Sequence, residues 1–125
     1  MSAKILCVED NVLNMRLVRK LLASAGYTVL EAITGEDGVS LAEREKPDLI
    51  LMDMNLPDID GLEATRRLKS CPILSRIPVI ALTANAMYGD RERFLGLGCD
   101  GYIAKPVARR ELFDTITAFL QQACV

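Results

Sequence analysis

Histidine and tryptophan are absent from this chain, and only three tyrosines and three phenylalanines supply its aromatic surface. Without histidine, Ser-His or Cys-His nucleophilic catalysis is excluded, as is any zinc site built on imidazole. The four cysteines, Cys7, Cys71, Cys99 and Cys124, stand far apart with no CxxC pair, which argues against a disulfide framework or a thiolate metal site and for reduced thiols in a cytosolic protein. Cys7 falls inside an apolar run and reads as core. No apolar stretch reaches membrane-spanning length, and the N-terminal residues enter a strand pattern at once, so neither a leader nor an anchor is expected. A net charge of -2 and a pI near 5.2 give no basic patch for nucleic acid or an anionic membrane surface. Repeats, linkers and low-complexity stretches are likewise missing.

What is present is a regular alternation. Continuous apolar runs occur at Ile5–Val8, Leu49–Met52, Val79–Leu82 and Tyr102–Ala104, with a more alternating run at Tyr27–Ala32. Runs without alternation belong to strands covered on both faces, as in parallel sheets. Helical spacing lies between them: Met15, Val18, Leu22 and Ala25, and later Leu112, Ile116 and Phe119. Gly26 is placed to end the first helix, Thr34 to start the second, and Pro47 to close it before the third strand. Asp60 and Glu63 have the spacing of a capping box, which is a sufficient structural account of Asp60. A fourth helical segment, from about Asn85 to Leu97, carries Gly89 and Gly96 and is the weakest by propensity.

Five β-α units in 125 residues predict a single α/β domain over residues 1–125. The expected architecture is a three-layer doubly wound (βα)5 fold with a five-stranded parallel sheet in the order 2-1-3-4-5. In such sheets ligands bind beyond the carboxyl ends of the strands, where the winding reverses between the first and third.

Glu9, Asp10, Asp53, Thr83 and Lys105 each sit at or just past the C-terminal end of a strand run, so this topology gathers them at one edge. Three carboxylates in one crevice repel one another, and a divalent cation relieves the repulsion. Oxygen donors of this kind suit Mg²⁺, or Mn²⁺, with Asp10 and Asp53 as direct ligands, Glu9 acting through water and the Asn55 backbone carbonyl as a further candidate. An ionised aspartate can attack phosphorus to give an acyl phosphate. The reaction asks chiefly for positioning and charge neutralisation, which the metal, Lys105 and the Thr83 hydroxyl would supply. Each residue alone also has a plainer reading: Glu9-Asp10-Asn11 as a helix cap, Thr83 as a helix-entry residue, Tyr102 as a half-buried aromatic. Asp53, directly after an apolar strand with no basic residue near it in sequence, and Lys105, before Pro106 where a cis bond would aim the side chain inward, are harder to explain so simply.

The motifs Val8-Glu9-Asp10-Asn11, Asp48 through Asp53, Leu56-Pro57 with Asp60-Gly61, Ala81-Leu82-Thr83-Ala84 and Gly101 through Pro106 resemble bacterial response-regulator receiver domains of the CheY-like superfamily, along the whole chain. The opening Glu9 to Asn14 and the Asp48–Asp53 strand are most similar to stand-alone DivK-type regulators and phosphorelay receivers. The resemblance implies a flavodoxin-like, CheY-like fold and a two-component role rather than an enzyme in the ordinary sense. It implies that Asp53 accepts the phosphoryl group, that Glu9 and Asp10 are the acidic metal pair, and that Lys105 contacts the phosphoryl group. Thr83 would be the switch hydroxyl, Tyr102 the switch aromatic and Lys105-Pro106 a cis peptide, while Asn55 and Ala84 lie at positions that tune phosphate lifetime. The donor would be phosphohistidine on a sensor kinase or a phosphotransfer protein. With only Gln121 to Val125 beyond the last helix, output is expected through a downstream protein docking on the face made by the fourth helical segment, the fifth strand and the final helix. Arg91, Arg93, Arg109 and Arg110 fall on that face; each reads most simply as solvated charge.

Two other chemistries share parts of the pattern. A Mg²⁺-dependent aspartyl phosphatase of the haloacid dehalogenase type would carry a second acid where this chain has Asn55. A flavodoxin-like nucleotide binder needs a hydroxyl- and glycine-rich loop after the first strand, and Glu9-Asp10 would repel its ligand. A receiver-like scaffold working without phosphate is the third alternative, against which the intact acid set stands.

Overall fold

The computed structural model describes residues 3–54, 61–83, 95, 96 and 98–123. Strands β1 (Lys4–Val8), β2 (Thr28–Ala32), β3 (Leu49–Asp53), β4 (Val79–Thr83) and β5 (Gly101–Ala104) alternate with helices α1 (Val12–Ser24), α2 (Gly35–Glu45), α3 (Gly61–Ser70) and α4 (Arg109–Ala123). All strand pairs are parallel and the order is β2-β1-β3-β4-β5, as the sequence predicts. Of the fourth helical segment expected from about Asn85, Leu95 and Gly96 are described and are helical. The rest of it lies outside the described residues, as do Asn55, Pro57, Asp60, Ala84, Arg91, Arg93 and Cys124.

Strand side chains alternate between faces, and this divides the core in two. Leu6, Val8, Ile50, Met52, Val79 and Ala81 pack toward α2 and α3, against Ala42, Ala64 and Leu68. Ile5, Cys7, Leu49, Leu51, Ile80, Leu82 and Ile103 pack toward α1 and α4, against Met15, Val18, Leu22, Leu112 and Ile116. Each fully buried Leu or Ile contributes about 1.5–3 kcal/mol, so the uninterrupted apolar strands are what hold the sheet rigid beneath its edge.

Helix ends follow their capping chemistry. Asn11 caps α1, its Oδ1 accepting from Asn14 N at 3.0 Å, and Thr34 caps α2, its Oγ1 accepting from Asp37 N at 3.1 Å. Gly26, at φ 89°, takes the left-handed conformation just past α1. Two expectations shift slightly. Ala25 is the exposed C-cap of α1, so the buried stripe ends at Leu22. The second helix is closed by Lys46 in the left-handed region at φ 46°, one residue before Pro47.

Cys7 and Cys99 are buried and Cys71 is half-buried. Burial, with the charges of Glu9 and Glu31 adding, holds the Cys7 thiol far above the ordinary range, and burial also raises that of Cys99. A protonated, occluded thiol is a poor nucleophile. Alkylation of the native protein followed by peptide mass mapping is therefore expected to label Cys71 ahead of Cys7 and Cys99, which should react only in denaturant; labelling of Cys7 in the folded state would contradict this packing.

Candidate functional site

Because every strand runs the same way, the carboxyl ends of β1, β3, β4 and β5 form one edge. Register aligns them: Val8 pairs with Met52, Asp53 with Leu82, and Thr83 with Ala104. Backbone bonds carry the alignment just past the strands, from Glu9 N to Ala32 O at 3.0 Å, Met54 N to Leu82 O at 3.0 Å and Lys105 N to Thr83 O at 2.7 Å. Glu9, Asp10, Asp53, Thr83 and Lys105 are thus brought together as their sequence positions require.

One carboxylate oxygen each from Glu9, Asp10 and Asp53 lies within 4.8 Å of the others. Glu9 and Asp53 are each 1% exposed and Thr83 2%, whereas Asp10 is exposed. The site is a pit with two buried acids and the third acid at its mouth, and the buried Thr83 ends the neighbouring strand. Lys105 closes one side, its Nζ 2.8 Å from Glu9 Oε2 and 3.1 Å from Asp53 Oδ1. Lys105 thus bridges the two acids, hydrogen-bonded to Asp53 Oδ1 and in close ion-pair contact with Glu9 Oε2. Glu9 Oε1 accepts from Asn11 N at 3.3 Å. The Lys105–Pro106 bond is cis.

Asp53 therefore has a counter-charge, contrary to what its sequence neighbourhood indicates. The partner comes from 52 residues away, a distance over which local inspection says nothing. Burial pushes the Glu9 carboxyl above its usual range and the charge of Asp53 adds to this, opposed by the Lys105 ammonium and Asn11 N–H. For Lys105 burial works downward, yet Glu9 and Asp53 outweigh it and hold the ammonium above the ordinary lysine range.

Among the described residues three carboxylates face one ammonium, a surplus of negative charge around oxygen-only donors. That donor set fits Mg²⁺, which takes one or two carboxylates and keeps water in its remaining positions. Asn55 lies outside the described residues.

The second tier of the site is Thr83 and Tyr102. They are diagonal neighbours across the β4–β5 pair, two residues out of register on the same face of the sheet. Tyr102 is half-buried and borders a cavity of about 340 Å³ shared with Leu95, Asp114 and Phe119. Arg109 and Arg110 are exposed, and Arg109 lies 5.4 Å over the ring of Phe113.

The family model for the response regulator receiver domain matches residues 5–117. The chain belongs to the response-regulator receiver family. It is 45% identical over 123 residues to the polar-differentiation response regulator DivK of Brucella ovis, covering 98% of this chain and 100% of that protein. Among solved structures it is similar to the receiver domain of sensor histidine kinase PA1611 from Pseudomonas aeruginosa, at TM-score 0.90 and 42% identity over 97% of this chain and 99% of that one. That receiver has a magnesium ion coordinated in its active-site cleft. A CheY-like receiver domain protein from Methanospirillum hungatei superposes at TM-score 0.88 with 30% identity, over 98% and 96% of the two chains.

One contributor to this receiver's site, Gly61, stands in the sequence only as part of the Asp60-Gly61 motif, with no role of its own. A Cβ on Gly61 would run into the carbonyl oxygen of Asp53 and come within 2.6 Å of Met54 Cε. The start of α3 is wedged against the acid's own backbone, and only a residue without a side chain fits. The signal was available in Asp60-Gly61 but was absorbed by the capping reading of Asp60.

Two measurements bear on this geometry. Gly61→Ala is expected to cost about 1–3 kcal/mol in denaturant unfolding, and no change in midpoint would show that the helix start is slack. Since the folded pKa of Glu9 is raised, the native state retains a proton there that the unfolded chain has released; stability of the metal-free protein then falls as pH rises from the ordinary 4.5 through the raised value. Thermal melts in chelator across the weakly acidic range should show this decline, and Glu9→Gln should flatten it.

Proposed function

We propose that this receiver accepts a phosphoryl group on Asp53 from phosphohistidine, with Mg²⁺ bound beside it, and signals through the protein contacts that follow. The observation that carries the reading is Asp53 itself: buried at the end of β3, within 4.8 Å of two further acids and 3.1 Å from a lysine ammonium. Asp10 and Asp53 would hold the metal, with Glu9 contributing from the floor of the pit and the Asn55 carbonyl as a further ligand. When bound, the ion neutralises charge on the transferring phosphoryl oxygens.

The chain's own residues do the rest. A carboxylate oxygen of Asp53 attacks phosphorus as the P–N bond to the donor imidazole breaks, and the departing imidazole takes its proton from solvent. Lys105, already within reach of Asp53, meets a second phosphoryl oxygen with its charge, and the Thr83 hydroxyl donates to a third. Movement of Thr83 toward the phosphoryl group opens space on the face it shares with Tyr102, whose rotation then alters the surface of β5, α4 and the segment preceding β5. Pro106, in its cis bond, follows Lys105 at this hinge. The protein does not turn over an external substrate; the reading assigns it the assisted gain and slow loss of its own phosphate.

On this reading the chain is a single receiver domain acting in the cytoplasm, loaded by a sensor histidine kinase or a histidine phosphotransfer protein, and read by a downstream protein on the β5–α4 face. Among the described residues no helix is long and apolar enough to cross a membrane.

Incubation with acetyl phosphate and Mg²⁺ followed by intact mass is expected to add one phosphate to the wild type, none to Asp53→Asn and none in excess chelator. Lys105→Met should slow uptake by roughly two orders of magnitude, the scale on which loss of one charge-stabilising donor acts. A wild type that stays unmodified would favour the scaffold reading, and steady hydrolysis of a small phosphate ester would favour the phosphatase.

A further inference from the structure

β5 is the weakest strand of the sheet by construction. It has four residues, begins with glycine, and is paired on one side only, to β4. Its two large side chains, Tyr102 and Ile103, say little about register by pattern alone; packing at its start says more, since a Cβ on Gly101 would come within 2.8 Å of Ile80 Cδ1 and 3.0 Å of Phe119 Cε2. Its register decides where Lys105 arrives. A slip displaces the strand by about 3.3 Å, more than the 2.8 and 3.1 Å contacts of Lys105 with Glu9 and Asp53 can absorb.

A polar knot holds the opposite end of this strand. Asp100 N donates to Val79 O at 2.8 Å, and Val79 N donates back to Asp100 Oδ2 at 2.8 Å. This is a rung of the ladder in which a carboxylate oxygen replaces a backbone carbonyl, set one residue before the pairing of Ile80 with Gly101. The same Oδ2 accepts from Lys69 Nζ at 2.7 Å. Lys69 uses its other protons on Ser75 O at 3.2 Å and Ile77 O at 2.9 Å, so all three donors of the ammonium have acceptors. The turn into β5 lies beside α3: a Cβ on Gly98, at φ 114°, would sit 3.8 Å from both the Lys69 and Thr65 side chains, and Cys99 is buried with its Sγ 4.0 Å from Thr65 Oγ1. At its other end α3 is wedged against the carbonyl of Asp53.

We propose that Lys69 and Asp100 are positioning residues for Lys105: by tying the start of β5 to both β4 and α3, they set the register that delivers the ammonium to the acid pit at the far end of the strand. Neither touches the acids, and neither is used by the phosphoryl chemistry. The functional half rests on the reading of Asp53 as phosphoacceptor; the structural half does not.

The test uses the full chain as wild type, Asp100→Ala, Asp100→Asn and Lys69→Met, held well below their melting temperatures. Amide hydrogen exchange is followed at Ile103 in β5 and Lys105 just past it, and at Leu6 and Leu51 in the central strands, and uptake from acetyl phosphate is timed at saturating Mg²⁺. Asp100→Ala is expected to speed exchange in β5 about tenfold while leaving β1 and β3 unchanged, and to slow phosphorylation about tenfold, since displacement of a catalytic group by about 1 Å can cost as much as 10²-fold. Asp100→Asn keeps an acceptor for Val79 N and should recover most of both. Lys69→Met leaves the Val79 rung intact and carries the same test, with a smaller effect of the same sign, should Asp100→Ala fail to fold. Exchange in β5 equal to wild type, or loosening spread evenly over all strands, would overturn the proposal. A wild type that takes no phosphate would instead overturn the phosphoacceptor reading, and the exchange measurements would still decide the role of the knot.

Discussion

Two acids that the fold removes from water, Glu9 and Asp53, share the Lys105 ammonium at the ends of adjoining strands, and a third acid lies beside them. Burying like charges this close is unfavourable, and one lysine offsets only part of the repulsion. An apolar filling of the same volume would in general be at least as stable. The arrangement makes sense as a site held ready for positive charge and, on the proposed reading, for a phosphoryl group. The uninterrupted apolar strands beneath the edge are what allow it, since they supply rigidity that the edge itself does not.

Topology does the gathering. In a parallel sheet every strand ends on the same side and every following helix begins there, so α1 starts immediately after Asp10 with its cap on Asn11. The positive end of a helix favours nearby negative charge, and α1 has no acid in its own first turn to compete for it. The same geometry gives α3 its double task. Its first residue abuts Asp53 and its last turn carries Lys69, so one short helix spans the distance between the acid pit and the entry to the edge strand.

What could be read before folding was whatever depends on local order: strands from unbroken apolar runs, helix starts from Asn11 and Thr34, the position of each acid at a strand's end. Those features determine the order of the sheet, and the order of the sheet brings the five site residues together. What could not be read depends on contacts across long stretches of chain. The contact of Lys105 with both acids, the wedge at Gly61 and the use of Asp100 as a surrogate rung all arise where one element packs on another. Ala25 keeps the spacing of the α1 stripe but is exposed, because the helix ends at Ser24 and Ala25 is its cap.

The pairing of a buried hydroxyl with a half-buried ring suggests how a change at Asp53 reaches the surface. Thr83 ends β4 and Lys105 N bonds to its carbonyl, so the backbone here is pinned on both strands. Interiors packed at crystal-like density move between discrete arrangements rather than deforming smoothly. With the backbone held, the freedom left to the site lies in side chains, and the Thr83 side chain shares its face of the sheet with that of Tyr102. The cavity beside Tyr102, between β5 and α4, gives that ring somewhere to go. On the proposed reading, a chemical event at Asp53 would then be expressed on a face of the molecule that the donor does not cover.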